Sequence, residues 1–177
     1  MTGRSAAGGN KKFLPGLCSA LGNIFFILVI VAFIPIALPK LFGVEIYEVI
    51  SESMEPEIPV GSAVYVKGIE PEMLSEGEII AFRRGDSLIT HRVVENKVQE
   101  RELITKGDAN NREDVAPVAY ADVVGRVEVH IPVLGTVFAF FSGGTGKICA
   151  VFILAWGVMF HLLSGILKPK GKKENEE

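Results

Sequence analysis

The sequence predicts a mainly β protein, a small antiparallel β domain flanked by N- and C-terminal transmembrane helices. Three observations predict it. No charged side chain occurs from Phe13 to Pro39, none occurs from Ile148 to Leu167, and the segment between them carries strand and turn signals rather than helical periodicity. Of the 177 residues 49% are hydrophobic, and the mean hydropathy of +0.35 is high for a soluble chain.

The first stretch, 13–39, exceeds the roughly 20 residues that cross a bilayer core. Pro35 and Pro39 place a kink or an end near its exit, because proline removes a helix hydrogen bond. It is longer than the apolar part of a secretory leader, and no small-x-small site follows it, so a retained anchor is expected. The second stretch, 148–167, contains Trp156 and His161. Arg4, Lys11 and Lys12 precede the first helix, and Lys168, Lys170, Lys172 and Lys173 follow the second. The preference of positive residues for the cytoplasm puts residues 1–12 and the charged tail 168–177 inside. The expectation is a multi-pass protein of the plasma membrane with both termini cytoplasmic and residues 40–147 extracytoplasmic.

That middle segment is acidic. Residues 41–147 hold 18 acidic and 10 basic side chains, a formal charge of −8. Such a balance repels phosphate and argues against nucleic acid as a partner. Cys18 and Cys149 fall near opposite ends of the two helices, much further apart than the roughly 4–7 Å between Cα atoms that a disulfide tolerates. Both are expected as free thiols, and no metal-ligand spacing is present.

Within the middle, strands are predicted over 63–66, 78–82, 87–94, 102–106 and 123–131, with a hairpin turn at 83–86 and a polar loop at 107–117. The apolar run Ile131–Phe141 is too short to span a bilayer and is broken by Pro132 and Gly135. It reads as surface resting in the membrane interface, the alternative being a core strand or a short helix. Gly143–Lys147 lacks the spacing of a phosphate loop and reads as a hinge into the second helix.

The chemistry-bearing residues begin at Ser51–Pro56, and Ser53 lies 14 residues past the end of the first apolar stretch. A nucleophile there works on something at the bilayer surface. A serine nucleophile needs a base within hydrogen-bond reach and donors for an oxyanion. His91 is the natural base, the one histidine of three that falls mid-domain on a strand. Taken alone, it also reads as an ordinary strand histidine bonded to a backbone carbonyl. The loop Thr105–Asp114 offers carboxylates to orient an imidazole, and its bland counterpart is Asx-turn chemistry.

Four ordered boxes carry a resemblance: Ser51–Pro56, Ile89–Val94, Thr105–Asn110 and Val124–Val127. Over residues 45–135 the chain resembles type I signal peptidases, in the branch of archaea, the endoplasmic reticulum and some Gram-positive bacteria that carries histidine where common bacterial enzymes carry lysine. The resemblance implies a β-rich catalytic domain in which Ser53 is the nucleophile, His91 the general base, and Ser51 an oxyanion donor beside the Ser53 N–H. Asp108 and Asp114 match two acidic positions, and the resemblance does not choose which supports His91. Glu52 departs from the glycine that many members have there. The implied activity is cleavage of signal peptides from secreted preproteins without metal or cofactor. The implied partners are those preproteins, the lipid bilayer and a nearby Sec translocon.

Small substrate residues before the cut would meet a shallow apolar lining, for which Ile50, Ile58 and Val64 are candidates. A competing enzyme reading pairs Ser53 with Lys106 or Lys67 as base, as in repressor-type self-cleaving peptidases of similar fold. A reading of another class is an inactive two-helix membrane scaffold in which Ser53 and His91 are structural.

Overall fold

The computed structural model describes residues 10–168. Arg4, Lys170, Lys172 and Lys173, and most of the predicted termini, lie outside those residues. The described chain divides into two compact units, one running from Pro35 to Gly143 and the other pairing the helical residues up to Ile34 with those from Gly144 onward.

In the helical unit, α1 (Asn10–Ala37) and α3 (Gly144–Leu167) are both long and apolar enough to cross a membrane. They pack antiparallel. Ser164 Oγ donates to the Pro15 carbonyl at 2.8 Å, His161 Nε2 lies 3.0 Å from Asn23 Oδ1, and the Phe25 and Phe160 rings stack. Gly146, Ala150, Gly157 and Ser164 form the buried stripe of α3, since small side chains let helix backbones approach. Cys18 and Cys149 are free thiols. Pro39, not Pro35, ends α1, and a 3-10 turn over Pro39–Phe42 follows. The predicted hinge is shorter than expected, because Gly144–Lys147 already form the first turn of α3.

The other unit is a seven-stranded antiparallel sheet. Its strands are β1 (Val44–Glu48), β2 (Ala63–Lys67), β3 (Ile79–Arg84), β4 (Ser87–Lys97), β5 (Glu102–Lys106), β6 (Val118–Ala119) and β7 (Val123–Ile131). Their spatial order is β1-β2-β7-β3-β4-β5-β6. Both faces are covered. Ile80, Phe82, Val93, Leu103 and Tyr120 pack on one side, and Met54, Ile58, Val64, Val66 and Ala81 on the other. Successive residues of β3 alternate between the two clusters, as the two-residue period of a strand requires.

The run 131–141 becomes the end of β7 and then a short helix, α2 (Leu134–Ser142). Leu134 and Phe138 of α2 pack on Ile46, Ala63 and Tyr65. A Cβ on Gly135 would stand 2.2 Å from the Ser62 carbonyl oxygen, so glycine is what lets α2 lie this close to the sheet. Phe140 remains 48% exposed on the helix surface.

An ion-paired arginine ties the rim of the sheet. Arg126 bonds Glu78 at 2.6 Å, and the Ser75 N–H donates to the other Glu78 oxygen at 2.8 Å. These contacts, the backbone N–H first, hold the Glu78 carboxyl below the usual carboxylate range. A depressed carboxylate stabilises the fold above its unfolded value and stops doing so as pH falls through its folded one. Glu78→Gln is therefore expected to lower the melting temperature most at neutral pH, with the gap to wild type closing below about pH 4. Leu103→Ala, which empties a site with 0% exposure, is expected to cost about 2–5 kcal/mol in denaturant melts in detergent micelles. Val115→Ala, at a fully exposed position, should leave the same melt unchanged.

Candidate active site

The loop carrying Ser53 leaves β1 and returns to β2. Its base is closed by backbone bonds from Val49 N–H to the Ser62 carbonyl and from Gly61 N–H to the Val49 carbonyl, 2.9 and 2.8 Å. Met54 and Ile58 are buried beneath it, and the Ile58 N–H bonds the Met54 carbonyl at 2.8 Å. Buried hydrophobes thus pin the chain on one side of Ser53 while Ser51 and Glu52 stay exposed. The Ser51 and Ser53 hydroxyl oxygens are 3.4 Å apart.

His91 lies on β4 opposite Ile80 of β3, 7% exposed, with its ring edge-on to Phe82. Its Nδ1 is 2.6 Å from Asp114 Oδ2. The same carboxylate accepts the Thr105 hydroxyl at 2.6 Å, and the Asp114 N–H bonds the Thr105 carbonyl at 2.8 Å. A carboxylate at Nδ1 favours the tautomer with the proton there and leaves Nε2 as an acceptor. Asp108 has another partner. It makes a two-bond pair with Arg92, 2.9 Å to Nε and 2.6 Å to Nη2, while Arg92 Nη1 donates to the Gly77 carbonyl at 2.7 Å. The hydrogen bonds that Arg92 donates to Asp108 are the largest cause of an Arg92 pKa above its ordinary value.

Nε2 and the Ser53 loop meet at Gly107. A Cβ built on that glycine would stand 2.5 Å from the Ser53 carbonyl oxygen, 2.7 Å from Asn110 Nδ2 and 3.0 Å from His91 Nε2. The Ala109 N–H also donates to the Ser53 carbonyl, at 2.9 Å. The structure therefore pairs Ser51 with Ser53 and His91 with Asp114, brings the Ser53 carbonyl and His91 Nε2 together around Gly107, and places Asp108 apart as the clamp on Arg92. Sequence reasoning missed Thr105 as the second partner of Asp114, although the residue stands in a recognised box.

Beside the two serines lies a cleft of about 350 Å³, walled by the segments 47–51 and 86–90. Val49, Ile50, Met54, Leu88 and Ile89 supply its apolar lining. Of the three expected lining residues only Ile50 is there. Ile58 and Val64 are core residues of the sheet, 0% and 1% exposed. Tyr47 also lines the cleft, its phenol pushed up to about 12 by burial first and then by the hydrogen bond and charge of Glu45. Lys106 pairs with Arg92 across β4 and β5, and Thr105 pairs with Val93, so Lys106 takes the alternate face from the Thr105–His91 side. Lys67 sits at the exposed end of β2, paired with Val44 and Arg126. Among the described residues no group of three or more His, Cys, Asp and Glu side chains is placed to hold a metal ion.

Among known proteins, this chain is similar to two signal peptidases. The chain is 39% identical to signal peptidase I W of Bacillus subtilis (strain 168), over 48% of this chain and 47% of that protein. It is 32% identical to the signal peptidase complex catalytic subunit SEC11 of Ogataea parapolymorpha, over 50% of this chain and 62% of that protein. The chain thus spans about half the length of the relatives it matches. Both relatives bear out the resemblance to type I signal peptidases of the histidine branch. The Peptidase S24-like family model matches residues 37–128, more than half of the chain, and the protein belongs to that family.

Proposed function

We propose that this chain is a membrane-bound serine endopeptidase that removes N-terminal signal peptides from secreted preproteins. The observation that carries the reading is the placement of His91, with Nδ1 on Asp114 and Nε2 beside the Ser53 segment. In the proposed reaction Ser53 Oγ attacks the scissile carbonyl carbon as His91 Nε2 takes its proton. The oxyanion is held by the Ser51 hydroxyl and the Ser53 N–H. His91 then protonates the leaving amine, Asp114 stabilises the imidazolium, and water hydrolyses the acyl-enzyme.

The substrate site follows from the sheet. Residues 87–90 of β4 pair with β3 on one side, while the pairing with β5 begins only at Arg92. The open edge of residues 87–90 faces the cleft, and an extended chain laid there would complete the ladder while its side chains meet Ile50, Leu88 and Ile89. In this reading the two apolar helices, each long enough to cross a bilayer, make a multi-pass protein of the plasma membrane, with both termini cytoplasmic and the β domain extracytoplasmic. The run 131–141, with Phe140 exposed, rests in the membrane interface in this reading. Substrate and enzyme then share one bilayer close to the Sec translocon, which raises their effective concentration.

Cleavage of a preprotein by the full chain in detergent tests the proposal. Ser53→Ala and His91→Ala are each expected to lower kcat by about 10³-fold or more, and Asp114→Asn by about 10²-fold or more. Full activity in His91→Ala would remove the reading. Asp108→Asn breaks a partly exposed ion pair worth roughly 1 kcal/mol or less, and is expected to lower stability with kcat held within about tenfold. Gly107→Ala inserts a methyl group against the Ser53 carbonyl and should cost about 10²-fold in kcat with little change in KM.

A further inference from the structure

We propose that Asn110 is a further catalytic residue, one that holds the hydrolytic water against His91 after the acyl-enzyme has formed. The proposal rests on the reading of Ser53 and His91 given above. The turn 107–110 is fixed to the nucleophile's own residue, because Ala109 N–H donates to the Ser53 carbonyl and Asn110 N–H to the Gly107 carbonyl, both at 2.9 Å. This turn folds the Asn110 carboxamide back over Gly107. Its Nδ2 and His91 Nε2 lie 2.7 and 3.0 Å from the same point. Two atoms so placed are separated by no more than the roughly 6 Å that one bridging water covers.

The chemistry of the pair fits that water. Among the described residues Asn110 has no hydrogen-bond partner for its side chain, and it is exposed, so water reaches it freely. Thr105, Asp108 and Asp114 in the same loop are already committed to protein partners. A carboxamide is neutral and does not compete with imidazole for the proton. With Nδ2–H on one lone pair of the water and a water O–H aimed at Nε2, the other lone pair is left for the ester carbon.

In the step, the water oxygen bonds to the acyl carbon as its proton passes to His91 Nε2. The bond from that carbon to Ser53 Oγ then breaks, and Oγ takes the proton back from His91. The products are free Ser53 and a new carboxyl group on the released N-terminal segment. Attack by Ser53 and departure of the amine do not need this water.

The two half-reactions separate in Asn110→Ala. With a preprotein in rapid-quench experiments, the mature product should appear in a burst equal to the enzyme present. Intact mass should show the adduct of enzyme and signal segment, with a lifetime lengthened about tenfold or more. Steady-state kcat and KM should fall together, leaving kcat/KM near wild type, and hydroxylamine should restore turnover by replacing the water. An adduct lifetime equal to wild type, or a loss in kcat/KM with no burst, overturns the role of Asn110. Cleavage that survives in Ser53→Ala overturns instead the acyl-enzyme reading beneath it.

Discussion

The hydrogen bond between His91 and Asp114 is the contact on which the rest of the site depends. By drawing the proton to Nδ1 it leaves Nε2 free on the side where the Ser53 loop arrives. The bond is not left to two side chains alone. Asp114 is held by the Thr105 hydroxyl and through its own N–H by the Thr105 carbonyl, so β5 fixes the carboxylate while β4 fixes the imidazole. Ion-pair geometry over a partly buried surface costs side-chain entropy. Here the sheet has already fixed most of that geometry.

A second consequence is that one loop serves two strands at once. Residues 107–114 reach Ser53 through Ala109, His91 through Asp114, and the neighbouring strand position through Asp108 and Arg92. Consecutive residues His91 and Arg92 point to opposite faces of β4, and each takes one aspartate. The loop is thereby closed over the rim of the sheet. Gly107 sits where these strands of contact converge, and the absence of a side chain there is what permits the approach.

Much of this was legible in the sequence, for identifiable reasons. Strands 102–106 and 123–131 were readable because apolar and β-branched residues alternate between turn signals. β1 was not, because Val44–Glu48 is short and follows directly on a helix exit, and β6 has only two residues. α2 was ambiguous because an apolar run of that length fits strand, helix or interface equally. Ser53, His91 and Ser51 were named from their boxes. The choice between Asp108 and Asp114 was not open to spacing, since it depends on the register of β4 against β5, which shifts between Val93 and Glu95. The cleft lining was misjudged for the same reason: Ile58 and Val64 are apolar by sequence, but only the fold says that they face the core.

In the proposed mechanism Asp114 holds His91 in the tautomer that leaves Nε2 free for Ser53. Nitrogen-15 NMR of the histidine-labelled chain in detergent, at a pH where His91 is neutral, tests it most directly. His91 is expected as the Nδ1–H tautomer, with a proton shifted far downfield that is lost in Asp114→Asn. An Nε2–H tautomer in the wild-type protein, unmoved by that substitution, would contradict it.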